Sequence, residues 1–220
     1  MRTRQLLVIS LTTKKQAAKL KEPKDYSITE AKRLGCHGGF SLDASTRRSW
    51  FNPEKVLQDA GLSSGMVFVD VGSGDGFFTI LAAQVVGEKG MVYAVDTDAK
   101  AIERLKREAD KKGLHNVKAI VAKAEEIVFC DGCADIVFYS IVLHDFYDPA
   151  KVLLNANRML KPSGKLVDLD WKKKQTTHGP PVRIRFSEEK AQELMEAAGF
   201  KISSVRSVGS DHYVIIAKPS

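Results

Sequence analysis

The 220-residue sequence lacks the features of several large protein classes. Its purely apolar runs, Leu6–Ile9 among them, fall far short of the roughly 20 residues that a membrane-spanning helix needs. It has three cysteines, an odd and low number that does not suit the disulfide framework of a small secreted domain. It contains no internal repeats and no low-complexity segments. We therefore expect a globular, cytoplasmic protein without a membrane span.

The charge is unevenly distributed along a composition that is otherwise ordinary for a globular protein. The formal net charge is +7. Residues 1–65 hold 12 Lys and Arg against 6 Asp and Glu, whereas residues 66–220 hold 22 against 21. The basic excess belongs to the front of the chain, and it raises nucleic acid as a partner of that segment rather than of the body.

From residue 52 onward, apolar runs alternate with helical patterns. Asn52 can cap a helix, Pro53 suits its first turn, and Gly61 ends it. Further helices are predicted over residues 77–86, 99–112, 150–160 and 187–198, the third of them halted by Pro162-Ser163-Gly164. Strands are predicted over residues 66–71, 91–95, 117–121, 136–142, 165–169, 202–208 and 212–217.

The character of these strands predicts the fold. Most are apolar throughout instead of alternating, which is typical of a sheet buried on both faces. Alternation of such strands with helices favours right-handed crossovers and a doubly wound, mostly parallel, Rossmann-like α/β sheet. Only a few residues, 209–211, join the last two strands, too few for a parallel crossover. We therefore predict an antiparallel C-terminal hairpin at one edge of the sheet.

The strongest chemical signal is a glycine loop between the first buried strand and the following helix, with Gly72, Gly74 and Gly76. Glycine lets the backbone turn sharply and lets a ligand approach main-chain N–H groups. A dinucleotide fingerprint would need glycine where Phe77 stands, and a phosphate-binding P-loop would need Gly-Lys-Ser/Thr, which is absent. Asp70 and Asp75 make this loop anionic, which disfavours pyrophosphate and suits a cationic ligand.

A second acidic position completes the pattern. The second strand ends at Asp96, where a carboxylate can accept hydrogen bonds from both hydroxyls of a ribose. The loop and Asp96 together predict a ligand that has a ribose, a positive centre and no phosphate.

These segments resemble the class I S-adenosylmethionine-dependent methyltransferases. The resemblance rests on the loop 70–76, Asp96, Ala134-Asp135-Ile136-Val137 and Leu160-Lys161-Pro162-Ser163-Gly164, in order along the chain from about residue 52. Residues 142–146 and the turn 160–164 most resemble the ubiquinone/menaquinone-biosynthesis and related small-molecule branch. The resemblance implies a seven-stranded sheet, S-adenosyl-L-methionine as cofactor, and methyl transfer to a small or medium-sized acceptor. It also implies a methyltransferase domain at residues 52–220, with residues 1–51 as a basic N-terminal extension that covers the acceptor site.

The resemblance also assigns candidate cofactor-binding residues. The glycine loop with Ser73 would pass close to the amino-acid part of the cofactor, and Asp70 would orient this loop or bind the ammonium through water. Asp96 would hold the ribose, Thr97 would flank the adenine, and Ser140 would contact the methionine part. The family often has an acidic residue after the third strand, where this chain has Lys123, which cannot accept a hydrogen bond. The adenine would then be recognised by backbone around Ala124, or by Glu125.

Other residues leave alternatives open. His144 is a candidate general base, because a neutral imidazole can accept a proton from an acceptor, but it could equally line the pocket while orientation alone carries the rate. The polar segment after the fifth strand could be an acceptor lid in which Arg183 and Arg185 recognise an anionic group, or a solvated loop. Cys130 and Cys133 provide too few ligands for zinc, so we interpret them as two loop thiols and predict no metal site.

Two further functions compete with a small-molecule methyltransferase. The first is an RNA (rRNA or tRNA) methyltransferase that uses the basic N-terminus. The residues after the fourth strand, Ser140-Ile141-Val142-Leu143, disfavour exocyclic amine methylation, whose enzymes carry an Asn/Asp-Pro-Pro-aromatic pattern there. The second is a non-catalytic cofactor-binding protein.

Overall fold

The computed structural model describes residues 44–220, so residues 1–43 of the predicted N-terminal extension, with Cys36, lie outside the described residues. The helices are α1 (Ala44–Trp50), α2 (Pro53–Ala60), α3 (Phe77–Val86), α4 (Ala99–Lys111), α5 (Pro149–Met159) and α6 (Glu188–Ala197). The strands are β1 (Val67–Val71), β2 (Met91–Asp96), β3 (Val117–Val121), β4 (Ala134–Ser140), β5 (Leu160–Trp171), β6 (Phe200–Val208) and β7 (His212–Pro219).

The seven strands form one sheet in the order β3-β2-β1-β4-β5-β7-β6. Strands β1 to β5 are parallel to one another, and β7 runs antiparallel to both β5 and β6. The predicted doubly wound α/β fold with an antiparallel C-terminal hairpin is confirmed. The strand order reverses between β1 and β4, and ligands of open α/β sheets bind outside the carboxyl ends of the strands at such a point.

Local signals in the sequence account for the elements that frame this point. The Asn52 side chain accepts a hydrogen bond from the Lys55 N–H at 2.9 Å and caps α2, which Gly61 ends with a φ of 84°. Helix α3 begins directly after Gly76, with the predicted bounds. Both helices pack on one face of the sheet around Phe68 and Phe138, which are fully buried, while α5 and α6 cover the other face.

Strand β5 begins earlier than predicted, at Leu160 instead of residue 165. Leu160 pairs with Ala134 of β4, and the register then shifts before Lys165 pairs with Ile136. The turn-forming residues Pro162-Ser163-Gly164 therefore lie in an irregular start of the strand and do not separate it from α5. Gly164 is required there, because a Cβ would lie 2.8 Å from the Ala134 carbonyl oxygen.

The interpretation of Cys130 and Cys133 as two thiols was wrong, because the structure joins them in a disulfide. A spacing of three residues places their Cα atoms 5.9 Å apart in the loop before β4, within the range that a disulfide spans. Among residues 44–220, no cluster of three or more His, Cys, Asp or Glu side chains is arranged to hold a metal ion.

The same residues contain no helix that is long and apolar enough to cross a membrane. The cytoplasmic location stays a prediction from the sequence.

Candidate active site

The glycine loop lies at the carboxyl end of β1, and its three glycines have left-handed φ values, of 74°, 55° and 91° for Gly72, Gly74 and Gly76. A Cβ on Gly72 would lie 2.5 Å from the side chain of Val142, and one on Gly76 would collide with Leu105. A Cβ on Gly74 would meet nothing within 4 Å. Two of the glycines are therefore required by packing inside the protein, whereas Gly74 faces open space.

Hydrogen bonds join this loop to the end of β2. The backbone N–H groups of Gly72 and Ser73 donate to the Val95 carbonyl at 2.8 and 3.0 Å. The Gly74 N–H donates to Asp96 Oδ2 at 2.7 Å, and the Asp98 N–H donates to Asp96 Oδ1 at 2.9 Å. The structure thus brings the predicted glycine loop and the predicted ribose-binding carboxylate together.

Asp70 lies beneath the loop and is 1% exposed. Its Oδ2 accepts a hydrogen bond from Thr79 Oγ1 of α3 at 2.6 Å. Burial raises the pKa of the Asp70 carboxyl to about 7, a shift that the Thr79 hydrogen bond opposes and the nearby Asp96 carboxylate reinforces. Asp70 therefore connects β1 to α3 and holds the loop from below.

The loop also carries a buried polar group without a partner in the described residues. Ser73 is buried, and its hydroxyl oxygen has no hydrogen-bond partner among residues 44–220. Such groups are rare in folded proteins and call for a partner such as a ligand or a water molecule. The Ser73 hydroxyl, the space at Gly74 and the Asp96 carboxylate fit a ligand with a polar amino-acid end and a ribose, as S-adenosylmethionine has.

The predicted adenine side is built from the turn after β3. Ala124 is buried, and its carbonyl oxygen accepts from Asn155 Nδ2 at 3.1 Å, as does that of Glu125. Glu125 Oε1 accepts the Asp148 N–H at 3.3 Å. Thr97, after β2, is exposed, and so is Lys123.

The end of β4 approaches the loop from the other side. Ser140 is half-buried there, and Ile141 follows with a φ of 58°, which is strained for a β-branched residue. The Ile141 N–H donates to the Leu169 carbonyl at 2.7 Å, which holds this conformation in place. Strained backbone of this kind concentrates at functional sites.

His144 lies in the loop after β4, with its side chain 1% exposed. Its Nδ1 is 2.8 Å from Asp170 Oδ2 at the end of β5, and its Nε2 is 3.6 Å from Asp145 Oδ1. Burial alone would lower the pKa of His144, but the carboxylates of Asp170 and Asp145 raise it above its ordinary value.

Two residues of the site were missed at the sequence level. Asp170 lies between Leu169 and Trp171 in β5, and an acidic residue flanked by large apolar residues in a strand is a usable signal. Arg47 of α1 lies 5.1 Å from the ring centre of Phe77 and 4.0 Å from the carboxylate of Asp75, so a cation lies beside the glycine loop. Arg47 belongs to the basic front segment, so its charge was counted with that segment and its position beside the glycine loop was not predicted.

Two alternatives were open for the segment after β5, an acceptor lid in which Arg183 and Arg185 recognise an anionic group, or a solvated loop. The structure does not support Arg185 as the anion-binding residue of a lid, because the residue is 2% exposed and its donors bind the loop after β5 itself. They reach the Thr176 hydroxyl and the carbonyl oxygens of Lys172, Lys174, His178 and Pro180, at 2.7 to 3.3 Å. Arg183 is exposed.

Comparison with known proteins bears on this geometry. The family model described as "Methyltransferase domain" matches residues 62–201, which include the glycine loop, Asp96 and His144. The chain belongs to this family. The match supports the methyl-transfer chemistry that the resemblance implied.

A solved structure extends the match over most of the domain. The crystal structure of a SAM-dependent methyltransferase from Aquifex aeolicus is 32% identical and superposes with a TM-score of 0.78. The alignment covers 89% of this chain and 100% of that one.

Curated relatives match over shorter stretches. A probable cobalt-precorrin-6B C(15)-methyltransferase (decarboxylating) from Sulfurisphaera tokodaii is 36% identical over 51% of this chain and 57% of its own length. The ubiquinone/menaquinone biosynthesis C-methyltransferase UbiE from a Shewanella species is 32% identical over 54% of this chain and 48% of its own length. The chain spans about half the length of these relatives.

Proposed function

We propose that the protein transfers a methyl group from S-adenosylmethionine to a small-molecule acceptor. The observation that carries the proposal is the open space at Gly74, whose N–H donates to the carboxylate of Asp96 and which directly follows Ser73, whose hydroxyl has no hydrogen-bond partner in the described residues. Glycine is the residue that leaves this space open, and neither the packing nor the hydrogen bonding of the described residues fills it.

The residues around this space would bind different parts of S-adenosylmethionine. S-adenosylmethionine supplies a methyl group attached to a positively charged sulfur. In our proposal, Ser73 and the Gly74 backbone hold the amino-acid end, and Asp96 accepts hydrogen bonds from the ribose hydroxyls. Ser140 and the strained turn after it face the methionine part, and Thr97, Ala124 and Glu125 border the adenine. Orientation of the two reactants in a site of this kind supplies much of the rate of a displacement reaction.

The names of the relatives support a small molecule as the acceptor, since they act in ubiquinone/menaquinone biosynthesis and on a cobalt-precorrin. The competing RNA hypothesis depends on the basic front segment, most of which lies outside the described residues. The third hypothesis, cofactor binding without catalysis, predicts cofactor affinity without product.

A methyl-transfer assay separates these hypotheses. The full chain is incubated with methyl-labelled S-adenosylmethionine and either a small-molecule library or total RNA, with Asp96→Ala as the inactive control and Asp110→Ala, an exposed site on α4, as the matched control. We expect label in a small molecule, with Asp110→Ala active and Asp96→Ala strongly impaired. Label in RNA alone, or cofactor binding without any labelled product, would contradict the proposal.

A further inference from the structure

A cluster of buried side chains, Asp168, Asp170 and His144, lies on β5 and in the loop after β4. Asp168 and Asp170 are separated by one residue on β5, so both side chains lie on the same face of the sheet. Each is at most 1% exposed. His144 reaches Asp170 from the loop after β4, and Val142 in the same loop contacts Gly72 of the glycine loop. The cluster is thus connected to the cofactor site through three residues of one short loop.

Both carboxylate oxygens of Asp170 have a partner. Its Oδ1 accepts the Trp171 N–H at 2.7 Å, and its Oδ2 is 2.8 Å from His144 Nδ1. Carboxylates accept but do not donate, so the His144 atom at this contact carries the proton. This contact selects one tautomer of the neutral imidazole, in which Nδ1 donates and Nε2 holds the free lone pair.

Asp168 has the opposite environment. Neither of its oxygens has a hydrogen-bond partner within residues 44–220. Burial, reinforced by the charge of Asp170, raises the pKa of Asp168 well above its ordinary value. The contacts of the two carboxyls therefore differ: Asp170 has the Trp171 N–H and His144 as partners, whereas Asp168 has no hydrogen-bond partner among the described residues.

We propose that Asp170 is a positioning residue that holds His144 with Nε2 as the proton-accepting atom, and that the acceptor is a molecule with an acidic O–H or C–H at the methylated atom. This inference rests on the proposed methyl transfer and names its substrate class. Within residues 44–220 the ring of His144 makes its hydrogen-bond contact through Nδ1, whereas the ion-pair contact of Nε2 with Asp145 Oδ1, at 3.6 Å, is beyond hydrogen-bond distance and leaves the Nε2 lone pair able to accept a proton.

Every proton and electron pair of the proposed methyl transfer is accounted for. The acceptor O–H or C–H bond breaks, its proton moves to Nε2, and its electron pair forms the bond to the transferred methyl carbon. The carbon–sulfur bond breaks with its electron pair on sulfur. The imidazolium so formed is stabilised by Asp170 until it releases the proton to water, so no oxidant, reductant or metal is required.

The charged groups that face His144 shift its pKa in opposite directions. Asp170 of β5 and Asp145 of the same loop raise its pKa, whereas burial and the Arg185 guanidinium lower it. The net shift is upward, so the acid limb of a base-dependent rate should lie above pH 6.5, about the ordinary value of histidine. Removing the charge of Asp170 should move that limb to lower pH.

The first test observes His144 without any acceptor. In the full chain labelled with ¹⁵N-histidine, NMR titration gives the tautomer and the pKa of His144, which a His144→Gln variant assigns. We expect an Nδ1-protonated neutral form, and Asp170→Asn should lower the pKa by about one unit or more, a tenfold change in proton affinity. Asp168→Asn is the matched control, since it makes the same substitution on the same strand face and replaces a carboxyl that has no hydrogen bond to His144. An unchanged His144 pKa in Asp170→Asn, or equal shifts in both variants, would overturn the inference.

The second test uses defined probe acceptors. Phenols and 1,3-dicarbonyl compounds must lose a proton on methylation, whereas pyridines need not. We expect transfer to members of the first set, lost in His144→Gln, and a kcat in Asp170→Asn that is reduced about tenfold or more with its acid limb at lower pH. Transfer to pyridines alone, equal in wild type and His144→Gln, would overturn the inference and leave the methyltransferase proposal standing. If the chain neither binds S-adenosylhomocysteine nor methylates any probe, the proposed function fails instead.

Discussion

Substituting Asp70 by Asn should make the protein more stable at neutral pH. Asp70 is 1% exposed, and its carboxyl accepts a hydrogen bond from Thr79 at 2.6 Å. Asparagine has nearly the same shape, its amide oxygen can keep the Thr79 hydrogen bond, and it carries no charge that burial would penalise.

The size and sign of the effect follow from the pKa. The folded protein keeps the Asp70 proton up to about pH 7, whereas the unfolded chain loses it near its ordinary pKa of 3.8. Between these values the native state binds more protons than the unfolded state, so the wild type loses stability as the pH rises. A shift of about three units corresponds to about 4 kcal/mol at pH 8, of which about 2 kcal/mol develops between pH 5.5 and 8.

Urea unfolding of the cofactor-free protein at these two pH values measures the difference. We expect the free energy of unfolding of Asp70→Asn to exceed that of the wild type, and the excess to grow by about 2 kcal/mol from pH 5.5 to 8. Asp110→Asn, at an exposed position of α4, should show no such growth. An Asp70→Asn protein that is equally or less stable at pH 8 would show that the buried carboxylate is well solvated or paired, and would refute the reasoning.

Three further predictions concern the loops around the site. Gly74→Ala and Gly113→Ala each place a Cβ in open space at a residue with positive φ, at a cost of about 1–2 kcal/mol, so both variants should fold. Calorimetry should show that only Gly74→Ala loses S-adenosylhomocysteine binding. Arg185→Ala should speed hydrogen exchange in the loop after β5, because several of its oxygens lose their donors, and Arg183→Ala should not; equal rates would contradict this role. Burial lowers the pKa of His212 to about 4, so the free energy of unfolding of the wild type should fall by up to about 3 kcal/mol as the pH is lowered from 6.5 to 4. His212→Phe should lack this fall, and parallel pH profiles of the two proteins would contradict the prediction.

Much of the fold was predictable because its signals are local. The bounds of α3 follow from a glycine on each side, and the antiparallel hairpin follows from a connection too short for a crossover. The start of β5 was not predictable in this way. Pro162-Ser163-Gly164 is a turn signal by composition, and only pairing between Leu160 and Ala134 extends the strand through it.

The candidate site was also predictable only where its signals are local in the sequence. The glycine loop and Asp96 carry their pattern in sequence spacing, and the structure joins them by a hydrogen bond. The roles of Asp170 and Arg185 depend on contacts with residues elsewhere in the chain, so charge and residue type alone suggested a surface role for the arginine. The spacing of Cys130 and Cys133 allows two thiols or a disulfide, and only the positions of the two side chains decide between them.

The proposed function requires that the glycine loop and Asp96 together hold S-adenosylmethionine. Calorimetric titration of the full chain with S-adenosylhomocysteine measures this binding, with Asp96→Ala and the exposed control Asp110→Ala. We expect one binding site per chain, an affinity about tenfold or more lower in Asp96→Ala, and no change in Asp110→Ala. No binding to the wild type, or equal affinity in Asp96→Ala, would contradict it.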